Sequence, residues 1–450
     1  MWRYSDAVTT IMRPVMPDDV HRQLSRHLLV DGLPLVLDLH ASRGSWLVDE
    51  RDGTAYLDLF TFFASSALGM NHPGLVEDPI FRDELLLAAL NKPSNSDVFS
   101  VALARFVTTF ARVLGDPGLP HLFFVEGGAL AVENALKVAF DWKSRHNERR
   151  GIDPALGTKV LHLEHAFHGR SGYTLSLTNT DPVKTARFPT FGWPRIPAPY
   201  LSEGRDVRLA ERISLAAARA AFERHPYDIA CFVMEPIQGE GGDHHFRPEY
   251  LQAMQALCVE FDALFVLDEV QTGCGLTGTA WAYQQLDVCP DVVAFGKKTQ
   301  VCGIMAGGRV DEVDGNVFQV SSRINSTWGG SLTDMVRARR ILEVIESDRL
   351  IRHASGQGSV LSELLDGLAS THPSVTNVRG RGLMRAFSLP DGTTRDRVLE
   401  RLREDERVLL LGCGARSIRF RPSLGVATSE LTAGVEACDR VLTAVCGRNR

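Results

Sequence analysis

The sequence predicts an α/β protein: one large domain built on a mainly parallel sheet with helices on both faces, joined to a smaller α/β domain. Two observations carry this expectation. From Leu122 onward, short apolar runs alternate with amphipathic segments, as strands alternate with crossover helices. A chain of 450 residues, 44% of them hydrophobic, also has the material for a large core and more than one domain.

The first seventy or so residues include SWLVDERDGTAYLDL, a hairpin pattern with Asp52-Gly53 as its turn, expected to pack with the C-terminal part. LFFV then precedes a helix running through Asn147, and KVLHL, IACFVM, LFVLD and DVVAFG follow as strands, each leading into loop or helix. In sheets of this kind ligands bind beyond the carboxyl ends of the strands, so the residues just after each run matter most. A long helix over Leu332 to Ser347 leaves this domain. Beyond it, RGLMRAFSL and SIRFRPSL read as strands between helical patterns. The expected division is an N-terminal segment over 1–75, a large domain over 76–345 and a small domain over 346–450, with no internal repeat or low-complexity linker.

Composition narrows the function. A formal charge of -6, with Lys and Arg scattered, offers no field for gripping nucleic acid. Eight cysteines without paired CxxC spacing read as reduced structural thiols. The N-terminal MWRYSDAVTTIMRP has no leader pattern, and no uncharged apolar run is long enough to span a bilayer. A soluble cytoplasmic protein is expected, with small molecules and other subunits as partners.

Three strand ends carry chemistry. VEGGALAVENALK places Gly127, Gly128 and Ala129 where a strand turns into a helix; free amides and the helix dipole suit a phosphate there, although glycines also serve such turns for geometry alone. FVLDEVQTG puts Asp268 at the end of an apolar strand, where an acid is costly unless a cation or a protonated ring nitrogen meets it. An internal ion pair or a helix cap is the plainer alternative for Asp268 or Glu269. DVVAFGKKT sets Lys297 and Lys298 at another strand end, where one can serve as a Schiff-base nucleophile while the other reaches water, or both are simply solvated. The three features together point to one site more strongly than each alone.

HLEHAFHGRSG holds three histidines at three-residue spacing, but no carboxylates complete a ligand set. On a strand His162 and His165 face opposite sides, so packing or loop roles are expected and no metal site. Arg170 and Arg419 are candidate carboxylate clamps, with structural ion pairs as the alternative.

DEVQTGCGLTG followed by DVVAFGKKTQ resembles the signature region of the class III, or ω-amino-acid, aminotransferases, which use pyridoxal 5′-phosphate (PLP). GGALAVENALK, AFHGRSGYTLSLTNT, EPIQGEGGDHHFRPEY, NSTWGG and IRFRPSL extend the resemblance over nearly the whole chain. It implies the type I fold of PLP-dependent transferases and a homodimer with sites at the interface. By the same resemblance Lys297 forms the internal aldimine and moves the proton during transfer, and Asp268 holds the pyridine nitrogen. Phe167 stacks on the ring, Gln271 lies near the 3′-oxygen, Gly128 and Ala129 bind the phosphate, and Thr327 reaches the partner subunit's phosphate.

For substrates the resemblance implies that Glu240 pairs with Arg419 while a basic amino acid is bound and swings away for a dicarboxylate. Arg170 then holds the lysine α-carboxylate or the far carboxylate of 2-oxoglutarate, and Arg419 the α-carboxylate of glutamate or 2-oxoglutarate. The sequence departs from the broad pattern at Gly127, a position often held by Ser, and in KTQVCG after the lysine. These departures are similar to those of the L-lysine 6-aminotransferases, with Asn325 helping to shape the pocket. The implied reaction moves the ε-amino group of L-lysine to 2-oxoglutarate, giving L-glutamate and 2-aminoadipate 6-semialdehyde, in lysine catabolism or β-lactam precursor supply. Ornithine or 4-aminobutyrate as donor, an aminomutase, and a catalytically silent PLP-fold protein are the rival readings.

Overall fold

A seven-stranded sheet occupies the centre of the molecule, in the order His121–Val125, Cys302–Ala306, Val292–Phe295, Leu264–Asp268, Ile229–Met234, Lys159–Leu163 and Arg195–Ile196. The computed structural model describes residues 15–447; the stretch MWRYSDAVTTIMRP, expected to carry no leader, lies outside them. The five strands from Val292–Phe295 to Arg195–Ile196 run parallel. Cys302–Ala306 is reversed and pairs antiparallel with both its neighbours.

Every residue of Ile229–Met234, Leu264–Asp268 and Val292–Phe295 is buried, because helices cover both faces of the sheet. Side chains alternate between the two layers. Leu264 and Val266 join a cluster with Ala131, Ala135, Val138 and Trp142 of helix Gly128–Arg149. Phe265 and Leu267 face the opposite layer, with Phe106, Phe110, Tyr250 and Met335. The anticipated helix at Leu332–Ser347 is present.

The C-terminal part carries an antiparallel sheet in the order Thr376–Arg381, Met384–Ser388, Ser417–Phe420 and Leu411–Cys413. RGLMRAFSL and SIRFRPSL supply its two central strands. The hairpin forms from Trp46–Val48 and Ala55–Asp58, with Gly53 at φ +75° in its turn. Val408–Leu409 adds in parallel to Ala55–Asp58, so the N-terminal and C-terminal parts share a sheet.

Directly after that hairpin, four consecutive L-residues, Thr61–Ala64, adopt left-handed conformations with φ of 42°, 51°, 61° and 66°. Cβ crowding disfavours this geometry, so it persists only where neighbours hold it. Asp58 accepts from the Phe60 and Thr61 amides, Thr61 Oγ1 donates to the Arg421 carbonyl, and Lys298 Nζ donates to the Ala64 carbonyl. Lys298 is thereby turned into the interior and away from water. No helix among the described residues is long and apolar enough to cross a membrane.

Helix Leu350–Thr371 offers a direct comparison of packing with helix propensity. A Cβ on Gly358 would come within 2.4 Å of the Gly382 carbonyl, whereas one on Gly367 meets nothing within 4 Å. Gly367→Ala should therefore stabilise by up to about 1 kcal/mol, the helix preference of Ala over Gly, while Gly358→Ala should lower the unfolding temperature. Thermal unfolding of the two variants side by side checks this; a rise in both would show that the helix approaches Gly382 less closely than described here.

Candidate active site

The carboxyl ends of the parallel strands open into a cavity of about 400 Å3 lined by Gly128, Ala129, Phe167, Arg170, Glu240, Asp268, Gln271 and Lys297, together with His168, Glu235 and Cys302. Eight of the eleven site residues expected from sequence thus meet on one wall system. Arg419 joins them through an ion pair with Glu240 at 2.9 Å. Asn325 and Thr327 do not line this cavity; both are exposed on the segment leading to helix Leu332–Ser347.

Asp268 ends its strand beside Ala294 of Val292–Phe295, the run that leads into Lys297. One Asp268 oxygen accepts from the Val270 amide at 3.0 Å, and the other lies 2.8 Å from His168 Nδ1. Burial works against a charged His168, but the hydrogen bond and the charges of Asp268 and Glu235 outweigh it, so its pKa is raised and Nδ1–H donates to Asp268. His168 was expected to have a packing or loop role; instead it meets the buried acid. His165 lies beyond the strand, at φ 61°, so the expected strand alternation of His162 and His165 stops short of it.

Lys297 follows Gly296, where a Cβ would come within 2.9 Å of Cys302 Sγ; that contact explains the glycine before the lysine. Burial lowers the Lys297 pKa to about 8, reinforced by Arg419 and opposed by Asp268 and Glu235. Burial likewise lowers Lys298 to about 7, but its ammonium is committed to the Ala64 carbonyl outside this cavity. The tandem lysines therefore divide, with Lys297 facing the cavity and Lys298 bracing the left-handed turn.

Glu235, four residues before Gly239, was not singled out from the sequence. Its two oxygens accept from the Phe167 amide at 2.8 Å and the Gly239 amide at 2.9 Å, which ties two loops over the cavity. Burial raises its pKa to about 7, against the stabilising charge of His168.

Gln271 is oriented by a buried ion pair that sequence inspection also missed. Arg421 donates from Nε and Nη2 to Gln271 Oε1 at 3.1 and 3.0 Å, and forms a bidentate pair with Asp243 at 2.9 and 2.5 Å. An atom receiving two N–H groups must be the amide oxygen, so the Gln271 NH2 is left to face the cavity. Gly239 lets the amide lie there, since a Cβ would sit 2.4 Å from Oε1.

At the other end of the cavity, Gly127 at φ +103° turns the chain into helix Gly128–Arg149. The first intrahelical amide bond is from Ala131 to the Gly127 carbonyl, leaving the amides of Gly128 and Ala129 for an anion. Arg170 is exposed at the cavity and enters no ion pair among the described residues. Arg419 is buried, yet its Nε and Nη1 have no protein partner. The arrangement offers anion-binding amides, a buried acid, a nucleophilic amine and two guanidinium groups with free donors. That set fits a phosphorylated pyridine aldehyde and a substrate bearing carboxylates.

The family model described as aminotransferase class-III matches residues 30–442. An L-lysine-epsilon aminotransferase of Mycobacterium tuberculosis is 66% identical over 437 residues, spanning 96% of this chain and 97% of that protein. A protein of the same name from Amycolatopsis lactamdurans is 62% identical, over 94% of this chain and 96% of its own length. Among solved structures, the lysine aminotransferase from M. tuberculosis in the internal aldimine form superposes with a TM-score of 0.95 at 66% identity, covering 96% of this chain and all of that one.

The Arg421–Asp243 pair is the best place to test the scaffold. Side-chain exposure is 1% for Arg421 and 0% for Asp243, so Asp243→Ala strands an uncompensated guanidinium. A loss of about 3–5 kcal/mol is expected, to be measured as a lower unfolding temperature and denaturation midpoint at fixed protein concentration.

Proposed function

The chain belongs to the class III aminotransferases, and from that premise we propose that it transfers the ε-amino group of L-lysine to 2-oxoglutarate, giving 2-aminoadipate 6-semialdehyde, which cyclises to the piperideine carboxylate, and L-glutamate. The observation that carries the reading is the pairing of buried Arg419 with Glu240 while Arg170 stands free in the same cavity. One guanidinium is masked and the other available, as a site that alternates between a basic amino acid and a dicarboxylate requires. Identity above 60% to lysine-epsilon aminotransferases from two genera supports the donor.

The fold is the type I fold of PLP-dependent transferases, and PLP is the cofactor. When bound, it supplies an electron sink for breaking bonds at the amino-bearing carbon. Gly128 and Ala129 offer their amides to its phosphate. Asp268, which accepts from His168, would meet its ring nitrogen, and Phe167 and Gln271 would flank the ring and its 3′-oxygen. Lys297, with its pKa near 8, is partly unprotonated at neutral pH. It would hold the cofactor as the nucleophilic amine and would be the group placed to accept the proton from the ε-carbon.

Arg170 clamps the lysine α-carboxylate, which points the ε-amine inward. Glu240 cancels Arg419 in that half-reaction, and the α-carboxylate of 2-oxoglutarate takes Arg419 in the other. Ornithine is a shorter donor by one methylene, a difference worth about 1–3 kcal/mol in a pocket, which the ratio of kcat/KM for the two donors reads directly.

Thr327 and Asn325 belong to a neighbouring site in a homodimer. Supporting this, their segment is bonded to residues 95 and 96 through the Trp328 and Ser326 carbonyls. That junction continues into an exposed apolar surface of Val98, Phe99, Val101, Leu87 and Leu90. The same reading assigns 1–75 to a segment packed with the small domain, 76–345 to the PLP domain and 346–450 to the small domain; of these, 1–14 and 448–450 lie outside the described residues. Eight unpaired thiols support a reducing, cytoplasmic setting.

Purified, PLP-loaded protein given L-lysine and 2-oxoglutarate should form glutamate and a semialdehyde trapped by 2-aminobenzaldehyde. Glutamate without the adduct would indicate α-amino transfer, and higher kcat/KM for ornithine or 4-aminobutyrate would reassign the donor. Lys297→Ala should abolish the absorbance of covalently held cofactor while Lys298→Met keeps it; the opposite pattern would overturn the choice of lysine.

A further inference from the structure

Glu240 is held by two cations. One carboxylate oxygen lies 2.8 Å from Lys184 Nζ and the other 2.9 Å from Arg419 Nη2. Lys184 was not singled out from the sequence, whereas its partner Glu240 was. Its ammonium is further steadied by Thr180 Oγ1 at 3.0 Å and lies over the Phe167 ring at 5.3 Å, with the side chain only 13% exposed.

The two cavities around this carboxylate give the arrangement a direction. A second cavity, of about 620 Å3, adjoins the first, lined among others by Lys184, His165, Tyr200 and Arg395. Glu240 lines both cavities, whereas Lys184 lines only the second. Arg419 meets Glu240 through a single nitrogen, and its Nε and Nη1 remain buried without a partner. A second carboxylate therefore has donors waiting at Arg419, provided that Glu240 withdraws.

We propose that Lys184 is the pivot for Glu240: when a dicarboxylate takes Arg419, the Glu240 carboxylate keeps its bond to Lys184 and turns about it into the second cavity. The proposal rests on the two-substrate reading above. Its physical basis is that a carboxylate leaving one cation in a mostly enclosed site faces a desolvation cost unless a second cation still holds it. With Lys184 in place, the exchange at Arg419 replaces one charge-assisted bond with another and leaves the far oxygen of Glu240 paired throughout. Without Lys184, Glu240 has Arg419 as its sole cation and resists displacement. Lys184 is accordingly a positioning residue that sets how readily the site accepts dicarboxylates.

The test is calorimetric titration of the PLP-loaded enzyme with glutarate, a dicarboxylate without a keto group, which binds but cannot react. Lys184→Met should weaken glutarate by about tenfold, the scale of one charge-assisted bond, and raise the KM for 2-oxoglutarate in parallel. The lysine half-reaction, followed by the loss of the cofactor's visible band, should lose far less. Lys184→Arg, which keeps the cation, should restore glutarate binding. In a Glu240→Gln background Lys184→Met should have no further effect on glutarate. Unchanged glutarate affinity in Lys184→Met, or equal losses for glutarate and lysine, would overturn the proposal. Failure of wild-type enzyme to react with lysine would instead overturn the substrate reading, and the glutarate titration would still decide the role of Lys184.

Discussion

Asp268 closes a strand in which all five residues are buried, and an acid in that position is costly by several kcal/mol unless it is paired. The rest of the site is arranged around meeting that cost. His168 reaches across 100 residues of sequence to supply the countercharge, and its second nitrogen is buried without a partner, so the histidine is spent on Asp268 alone. Glu235 then balances His168 while its oxygens collect the Phe167 and Gly239 amides. A single buried charge thereby fixes the loops that flank the cofactor space, and those loops in turn set where Phe167 and Gln271 stand.

The sheet was legible because buried parallel strands are uniformly apolar and short, and LFVLD, IACFVM and DVVAFG are all of that kind. Direction was not legible: Cys302–Ala306 is as apolar as its neighbours yet runs the other way, since an apolar run carries no sign of its polarity. The strand-end acid and lysine could be found because each is a charged residue closing an apolar run. His168, Lys184 and Arg421 could not, because their side-chain partners lie between 56 and 178 residues away in sequence, and Glu235 could not, because its partners are backbone amides, which sequence does not mark. The choice between Lys297 and Lys298 had the same origin. Adjacent lysines look alike in sequence, and only the turn at Thr61–Ala64 gives the second one a carbonyl to hold.

The charges of the cavity differ in how fully each is paired. Arg170 is exposed and enters no ion pair among the described residues, Glu240 is shared between two cations, and Arg419 is enclosed with part of its fork unused. By contrast Arg421 and Asp243 saturate each other in the interior. Two arginines separated by one residue on the same stretch are thus paired very differently, Arg419 with part of its fork unused and Arg421 saturated. The alternation of side chains along Ser417–Phe420 and its continuation separates them only partly; what distinguishes them is the acid each one meets.

The left-handed turn at Thr61–Ala64 bears on how the chain is made. Besides the local bonds to Asp58, those that hold it come from Lys298 and from the Arg421 carbonyl, and the hairpin before it completes its sheet with Val408–Leu409. A segment synthesised among the first is thus stabilised by one synthesised among the last, across a separation of 360 residues. Four residues in a conformation disfavoured by roughly 1–2 kcal/mol each do not hold it unaided. Closing this turn therefore depends on contacts of very long sequence separation, the kind that raises contact order and slows folding.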